Sequence, residues 1–306
     1  MPNRGPVFAV YTSFHENYEL DISATLGYLE WLYRGGARVF YLMPYNARYS
    51  QLTTAEIKDL TVACGEWRRG KGDAFLITSD PLHCSTRTSL EVAHLARESG
   101  SDAFSSIIRE KYYSRLQFGK HFGMLSEAGL PLVAHMMPML SSSNGRSMDV
   151  PIEAYEEVAS LDLVQGIKED HKDLAFISKL RDTFESRFDW IYAGRKSLIA
   201  NIGRRDSDFS YITGTAMLEP GIAGAFWSLL ITNSPRLNDF VKDVDDFFHD
   251  SLVPRFGWHA VNRVALSITG LIAPRERAPM HELDPDDQAV VREVARQTLV
   301  RFESWR

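Results

Sequence analysis

Lys168 stands at the end of an apolar run with nothing yet to turn the chain. In LDLVQGIK (161–168), Leu161, Leu163, Val164 and Ile167 have the pattern of a strand buried on both faces, and an ammonium follows directly. Strand alternation puts Val164, Gly166 and Lys168 on one face. If that face points inward, burial disfavours the charged amine and lowers its pKa. A neutral amine attacks a carbonyl to form a Schiff base; the protonated imine withdraws electrons, so a bond beta to it can break or form. Gly166 leaves space beside the side chain. The plain alternative is a lysine that leaves the strand to pair with Glu169 or Asp170. Asp170 also has a local role open to it, as N-cap of the next helix with Asp173 three residues on.

The elements that must position this lysine repeat along the chain. Strands are predicted at 7–12, 37–43, 73–78, 102–108, 130–136, 161–168, 188–193 and 207–213. Helices follow at 22–34, from Thr53 or Thr54, at 89–98, 117–128, 152–159 and 174–183, and from Gly221. Gly35-Gly36 stops the first helix, and Glu56 lies three residues beyond Thr53, the spacing of a capping box. Eight strand–helix units argue for a parallel sheet, and eight closes a barrel. An open doubly wound sheet is the runner-up, but no Gly-rich phosphate fingerprint follows the first strand. Residues 1–234 are therefore expected to form a (β/α)8 TIM barrel, with 235–306 a C-terminal helical extension in which APRERAP (273–279) reads as a hinge-like link. Active sites of such barrels lie at the carboxyl ends of the strands, where Lys168 falls.

GIKED with its flanks resembles the Schiff-base lysine motif of the dihydrodipicolinate synthase / N-acetylneuraminate lyase family. Other segments are similar in order and spacing: AVYTSF (9–14), with Ser13 replacing a proline, SQLTTAEIKDL (50–60), YITGTAMLEP (211–220) and HAVNRVALSITGLIAPRERAPMHEL (259–283). The resemblance spans nearly the whole chain. It implies a barrel commonly assembled as tetramers or dimers, in which Lys168 forms an imine with pyruvate or a related 2-oxo acid for aldol cleavage, condensation or dehydration.

The family pattern breaks in several places. Its carboxylate-binding Gly-Thr-Thr-Gly-Glu is replaced by PYNAR (44–48), where Asn46 and Arg48 are the candidate binders in its stead; as surface-loop residues they would do nothing. Aligned on Pro138, His135 stands where the family carries a proton-shuttling tyrosine. Val133, His135 and Met137 share a face, and an imidazole with a reference pKa of about 6.5 gives and takes protons near neutrality. The alternative is a core histidine bonded to a backbone carbonyl. Tyr112 or Tyr113 falls near the family's fourth-strand tyrosine, with subunit packing as the other role. Thr12 and Thr213 are further candidate binders. The synthases' distal arginine has no counterpart at its offset, although Arg146 is nearby, which disfavours diaminopimelate-pathway synthase activity. Met136, Met137 and Met139 near the mouth would favour a bulkier or more apolar substrate than pyruvate, if they face it. A second reading, from a different class, is a barrel that keeps its lysine without turnover and binds a small oxo acid in a regulatory role.

Composition narrows the rest. The 306 residues are 44% hydrophobic and 24% charged, with 34 basic and 40 acidic side chains, a formal net charge of −6. That is a soluble globular composition, and its sign argues against nucleic acid as a partner. Only Cys64 and Cys84 occur, without a CxxC, which fits a reducing, cytoplasmic compartment. MPNRGPVFAVYT enters a strand with no long hydrophobic region, so no signal peptide is expected, and no apolar stretch is long enough to span a membrane. There is no HExxH, paired Cys-His, G-x-S-x-G or Walker spacing; His83-Cys84 reads as packing. No metal or cofactor is expected.

Overall fold

The computed structural model describes residues 4–82, 84–108, 114–137, 139–140, 147–148, 150–205 and 207–306. Eight parallel strands close into a barrel: β1 (Gly5–Ala9), β2 (Val39–Leu42), β3 (Phe75–Ser79), β4 (Ala103–Ile108), β5 (Leu132–Met136), β6 (Val164–Glu169), β7 (Asp189–Tyr192) and β8 (Ser210–Ile212). Each pairs with its neighbour in chain order, and β8 returns to β1. The (β/α)8 barrel with C-terminal helices is thus the observed architecture, and most strands are shorter than their apolar runs.

The surrounding helices are α1 (Ile22–Arg34), α2 (Thr54–Arg69), α3 (Thr86–Ser99), α4 (Arg115–Leu125), α5 (Ile152–Ala159), α6 (Leu174–Phe184), α7 (Lys196–Gly203) and α8 (Gly221–Ile231). The capping box forms as the spacing predicts, with Thr53 Oγ1 accepting from Glu56 N–H and the Glu56 carboxylate from Thr53 N–H. Asp170 does not cap α6; Asp173 Oδ1 takes the Ala175 N–H at 2.8 Å.

Register decides which side chains enter the barrel, because directly paired residues of parallel strands point the same way. Lys168 pairs with His135 on one side and Ile191 on the other, His135 with Ile107, and Val133 with Ser105, which pairs with Ser79. Tyr41 pairs with Ile77 and Ala9. These residues face the lumen. Glu169 and Met136, one residue on, pair with each other and face the helices, where Tyr155 of α5 donates to Glu169 at 2.5 Å. Met136 therefore does not line the mouth, contrary to the clustering expected of the three methionines; the Met139 side chain lies outside the described residues.

After the barrel, α9 (Leu237–Phe240) runs through a π-helical stretch, Val241–Asp246, into α10 (Phe247–Phe256), followed by α11 (Trp258–Leu266) and α12 (Pro285–Glu303). One buried cluster joins barrel residues to Phe240, Leu252, Val264 and Val291 of these helices. APRERAP is not a hinge. Glu276 is buried against Arg48 and Arg263, and Arg277 grips Glu56 through two N–H groups at 2.7 and 2.8 Å. No helix among the described residues is long and apolar enough to cross a membrane.

Candidate active site

Lys168, the penultimate residue of β6, lies inside the barrel with 1% of its surface exposed, beside a fully buried His135 on β5. Asp170, two residues on and hence on the same face, reaches back over both. Lys168 Nζ lies 2.7 Å from His135 Nε2 and 2.5 Å from Asp170 Oδ2, and Nε2 lies 2.6 Å from that same oxygen. Three polar atoms therefore touch one another, and their hydrogens must fit. An ammonium donating to both neighbours would leave the lone pairs of Nε2 and Oδ2 facing each other at 2.6 Å. Moving one proton from the ammonium to Nε2 relieves that clash, since the neutral amine then donates to Oδ2 while the imidazolium N–H faces the same oxygen, so the three contacts favour proton transfer from Lys168 to His135.

Electrostatics agree with that arrangement. Burial lowers the Lys168 pKa, and the Asp170 charge works against the shift. Burial would raise Asp170, but the charges of Lys168 and His135 hold its carboxyl well below the usual range. Lys172 contributes from further out, its Nζ 3.9 Å from Asp170 Oδ1 and donating to Ala193 O at 2.5 Å. Within the lumen, Tyr41 Oη is 2.5 Å from Ser105 Oγ, and its ring centroid is 6.4 Å from that of His135. Burial pushes the Tyr41 pKa well up, so its hydroxyl stays a donor.

Residues 4–298 match the sequence profile of the dihydrodipicolinate synthetase family. The chain belongs to this family. An uncharacterized DapA-like lyase of Pyrococcus abyssi is 23% identical over 191 residues, 61% of this chain and 60% of that relative. Among solved structures, sialic acid aldolase of Ruminococcus gnavus superposes with a TM-score of 0.85 at 16% identity over 99% of both chains. Dihydrodipicolinate synthase of Oceanobacillus iheyensis gives 0.82 at 19% identity over 97% of both. These likenesses carry the barrel and its C-terminal helices.

Against the dihydrodipicolinate synthetase pattern, the other candidate residues are placed as follows. Thr12 is buried and its hydroxyl donates to Ala47 O at 2.6 Å, while its carbonyl accepts from Arg263. Asn46 is buried and hydrogen-bonded to the Tyr11 hydroxyl, whose pKa burial pushes up to about 12. Arg48 adopts a left-handed conformation, φ 58°, and all five of its N–H groups are committed: Nε and Nη2 to Glu276, Nη1 to Tyr45 O and His259 Nδ1, Nη2 also to His259 O. It ties the barrel to the C-terminal helices and is neither a surface decoration nor next to the amine in any contact it makes here. Thr213 is buried at the end of β8, and its carbonyl accepts from Lys196 Nζ at 2.5 Å. Tyr112, Tyr113, Arg146 and His83 lie outside the described residues.

Three groups were not legible in the sequence as parts of this chemistry or as its look-alikes. Asp170 carried a signal, since alternation puts it on the face of Lys168; the sequence offered it as the ion-pair partner of a lysine leaving the strand or as a helix cap, and the pair forms at 2.5 Å, with the lysine inside the barrel. Tyr41 sits mid-strand in ARVFYLM, where nothing distinguishes it from core. Lys196 is a second buried amine, its pKa lowered by burial to about 8. It lies over the rings of Tyr211 and Phe226 at 4.8 and 5.4 Å, outside the lumen between β8 and α8. A cleft of about 630 Å³ between α6 and α7, floored by Trp190 and Phe209, lies at the amino ends of β7 and β8, the opposite end of the barrel from Lys168.

Proposed function

We propose that this chain is a class I lyase whose Lys168 forms an imine with a carbonyl substrate. The reading is carried by one observation: a lumen-facing amine at the carboxyl end of its strand, in contact with both a proton carrier and a carboxylate. Membership of the dihydrodipicolinate synthetase family supports the reaction class. That the Ruminococcus gnavus neighbour is an aldolase supports carbon–carbon cleavage or its reverse.

The steps follow from the contacts. His135 takes a proton from the ammonium, and Asp170 stabilises the imidazolium that results. The neutral amine attacks the carbonyl carbon; the oxygen takes one proton back from His135 and a second that the attacking nitrogen releases, and leaves as water, giving the protonated imine on Lys168. In the cleavage direction, His135 then removes the proton of a β-hydroxyl. The bond between the α and β carbons breaks, its electrons pass into the enamine, and an aldehyde departs. Protonation of the enamine carbon and hydrolysis release the second product and the amine. Tyr41 is placed to donate to a substrate oxygen. A small-molecule substrate, a homo-oligomeric assembly and a cytoplasmic location complete the proposal, with no part for nucleic acid, membrane or a resident cofactor.

Borohydride reduction with candidate carbonyl compounds, followed by mass spectrometry, tests it. The expected result is an adduct on the Lys168 peptide that is absent from Lys168→Ala, together with aldehyde release from a β-hydroxy carbonyl substrate. An adduct without turnover on any such substrate would favour a binding protein instead.

A further inference from the structure

The loop that follows the amine bears on the far end of the substrate, an inference that rests on the imine reading above. We infer that Lys172 is a substrate-binding residue: it takes a carboxylate separated from the imine carbon by two carbons, and so selects carbonyl compounds with an anionic end.

Reach is the first ground. Lys172 lies between β6 and α6, at the carboxyl end of the barrel. Its side chain leans inward over the rim: Nζ donates at 2.5 Å to Ala193 O, just past the end of β7, and lies 3.9 Å from Asp170 Oδ1. Asp170 meets Lys168 through its other oxygen at 2.5 Å. One carboxyl group therefore separates the two lysine nitrogens, which are no more than about 9 Å apart. In an extended imine, a carboxylate two carbons beyond the imine carbon has its oxygens about 5–6 Å from the nitrogen. A hydrogen bond of about 3 Å then closes the distance to Lys172.

Availability is the second. The ammonium has three N–H groups and gives one to Ala193 O; the 3.9 Å to Asp170 Oδ1 is too long for a second bond, and 61% of the side chain is exposed. Two donors are thus open to a ligand at the mouth. Two arginines of the neighbouring loops are occupied: Arg195, at the start of α7, reaches Asp245, Asp246 and Asp250, and Arg48 is engaged with Glu276, Tyr45 and His259. Charge points the same way. Once the imine has formed, its positive charge is matched by Asp170, and that of Lys172 is left over. One carboxylate neutralises it, whereas a phosphate dianion would leave a net negative charge.

The test compares 2-oxoglutarate with 2-oxopentanoate, which differ only in a terminal carboxylate against a terminal methyl group. Each is trapped with borohydride on the wild-type protein, Lys172→Met and Lys172→Arg. The Lys168 peptide is quantified, and rates below saturation are normalised to trapping on N-α-acetyl-lysine. The wild type is expected to favour 2-oxoglutarate by about three- to tenfold, Lys172→Arg to keep most of that preference and Lys172→Met to lose it. Added salt should weaken the preference of the wild type and leave the ratio in Lys172→Met unmoved. A wild-type ratio of one or below, or a preference that survives in Lys172→Met, overturns the inference and leaves the imine reading intact. So does labelling of Lys168 by other carbonyl compounds but by neither of these two. Absence of a Lys168 adduct with these and with every other aldehyde and ketone tried sinks both.

Discussion

Asp170→Asn removes the charge that opposes burial at Lys168. With the amine still dry and the carboxylate gone, its pKa falls further, because the main charge opposing desolvation is removed. Adduct formation depends on the neutral amine, so the rising limb of its pH–rate profile should move to lower pH in the variant; an unmoved limb would detach Asp170 from the amine's chemistry. His135→Gln is expected to slow adduct formation by about 10²–10⁴-fold while leaving the adduct on Lys168. Stopped trapping at several pH values separates the two effects. At this scale the sequence was a partial guide. Alternation alone placed Lys168 and His135 on inward faces of their own strands, but only the sheet register sets them side by side. Asp170 was read by two local rules, pairing with Lys168 and helix capping; the pair forms, but inside the barrel and shared with His135 across β5 and β6.

Among elements, the segment joining α11 to α12 is the clearest case of a tertiary contact overriding a composition. APRERAP has two prolines and reads as a flexible link, yet its Glu276 accepts from Arg48, Arg263 and Gln51 in the interior. Burial raises the Glu276 carboxyl, and the two guanidinia outweigh it and bring it down. Arg263 in turn donates to Thr12 O, so the C-terminal helices are fastened to the carboxyl ends of β1 and β2. Glu276→Ala leaves two buried guanidinia uncompensated and should cost about 3–5 kcal/mol in urea unfolding. A loss under 1 kcal/mol would mean that water reaches the cluster. No local sequence signal marks such a partnership across 228 positions; Arg48 looked like a ligand-binding group because it fell where the family binds its carboxylate.

For the whole molecule, the barrel was legible because its period is written repeatedly: eight apolar runs, seven of them followed by a helical pattern, and turn residues between them; the helix at Lys196–Gly203 was not read from the sequence. The buried carboxylates were not, since nothing in KED or TSD shows which acid loses water. Burial raises Glu169 to about 7 and Asp80 to about 6. Both are raised above the unfolded value, so their contribution to stability is complete below about pH 4 and is lost as pH rises through 6 and 7. Glu169→Gln should remove its share, roughly 3 kcal/mol of stability difference between pH 4 and pH 8, read from urea unfolding at each pH; parallel curves for the two proteins would count against a buried acid at this position. Lys196 has a consequence for anyone who probes this protein with general reagents. An acylating compound tests how readily a nitrogen is deprotonated, and burial lowers the pKa of two lysines here, one facing the lumen and one cradled by Tyr211 and Phe226. Loss of activity after blanket labelling would therefore not say which of them mattered, and only peptide-resolved chemistry distinguishes the workplace from its decoy.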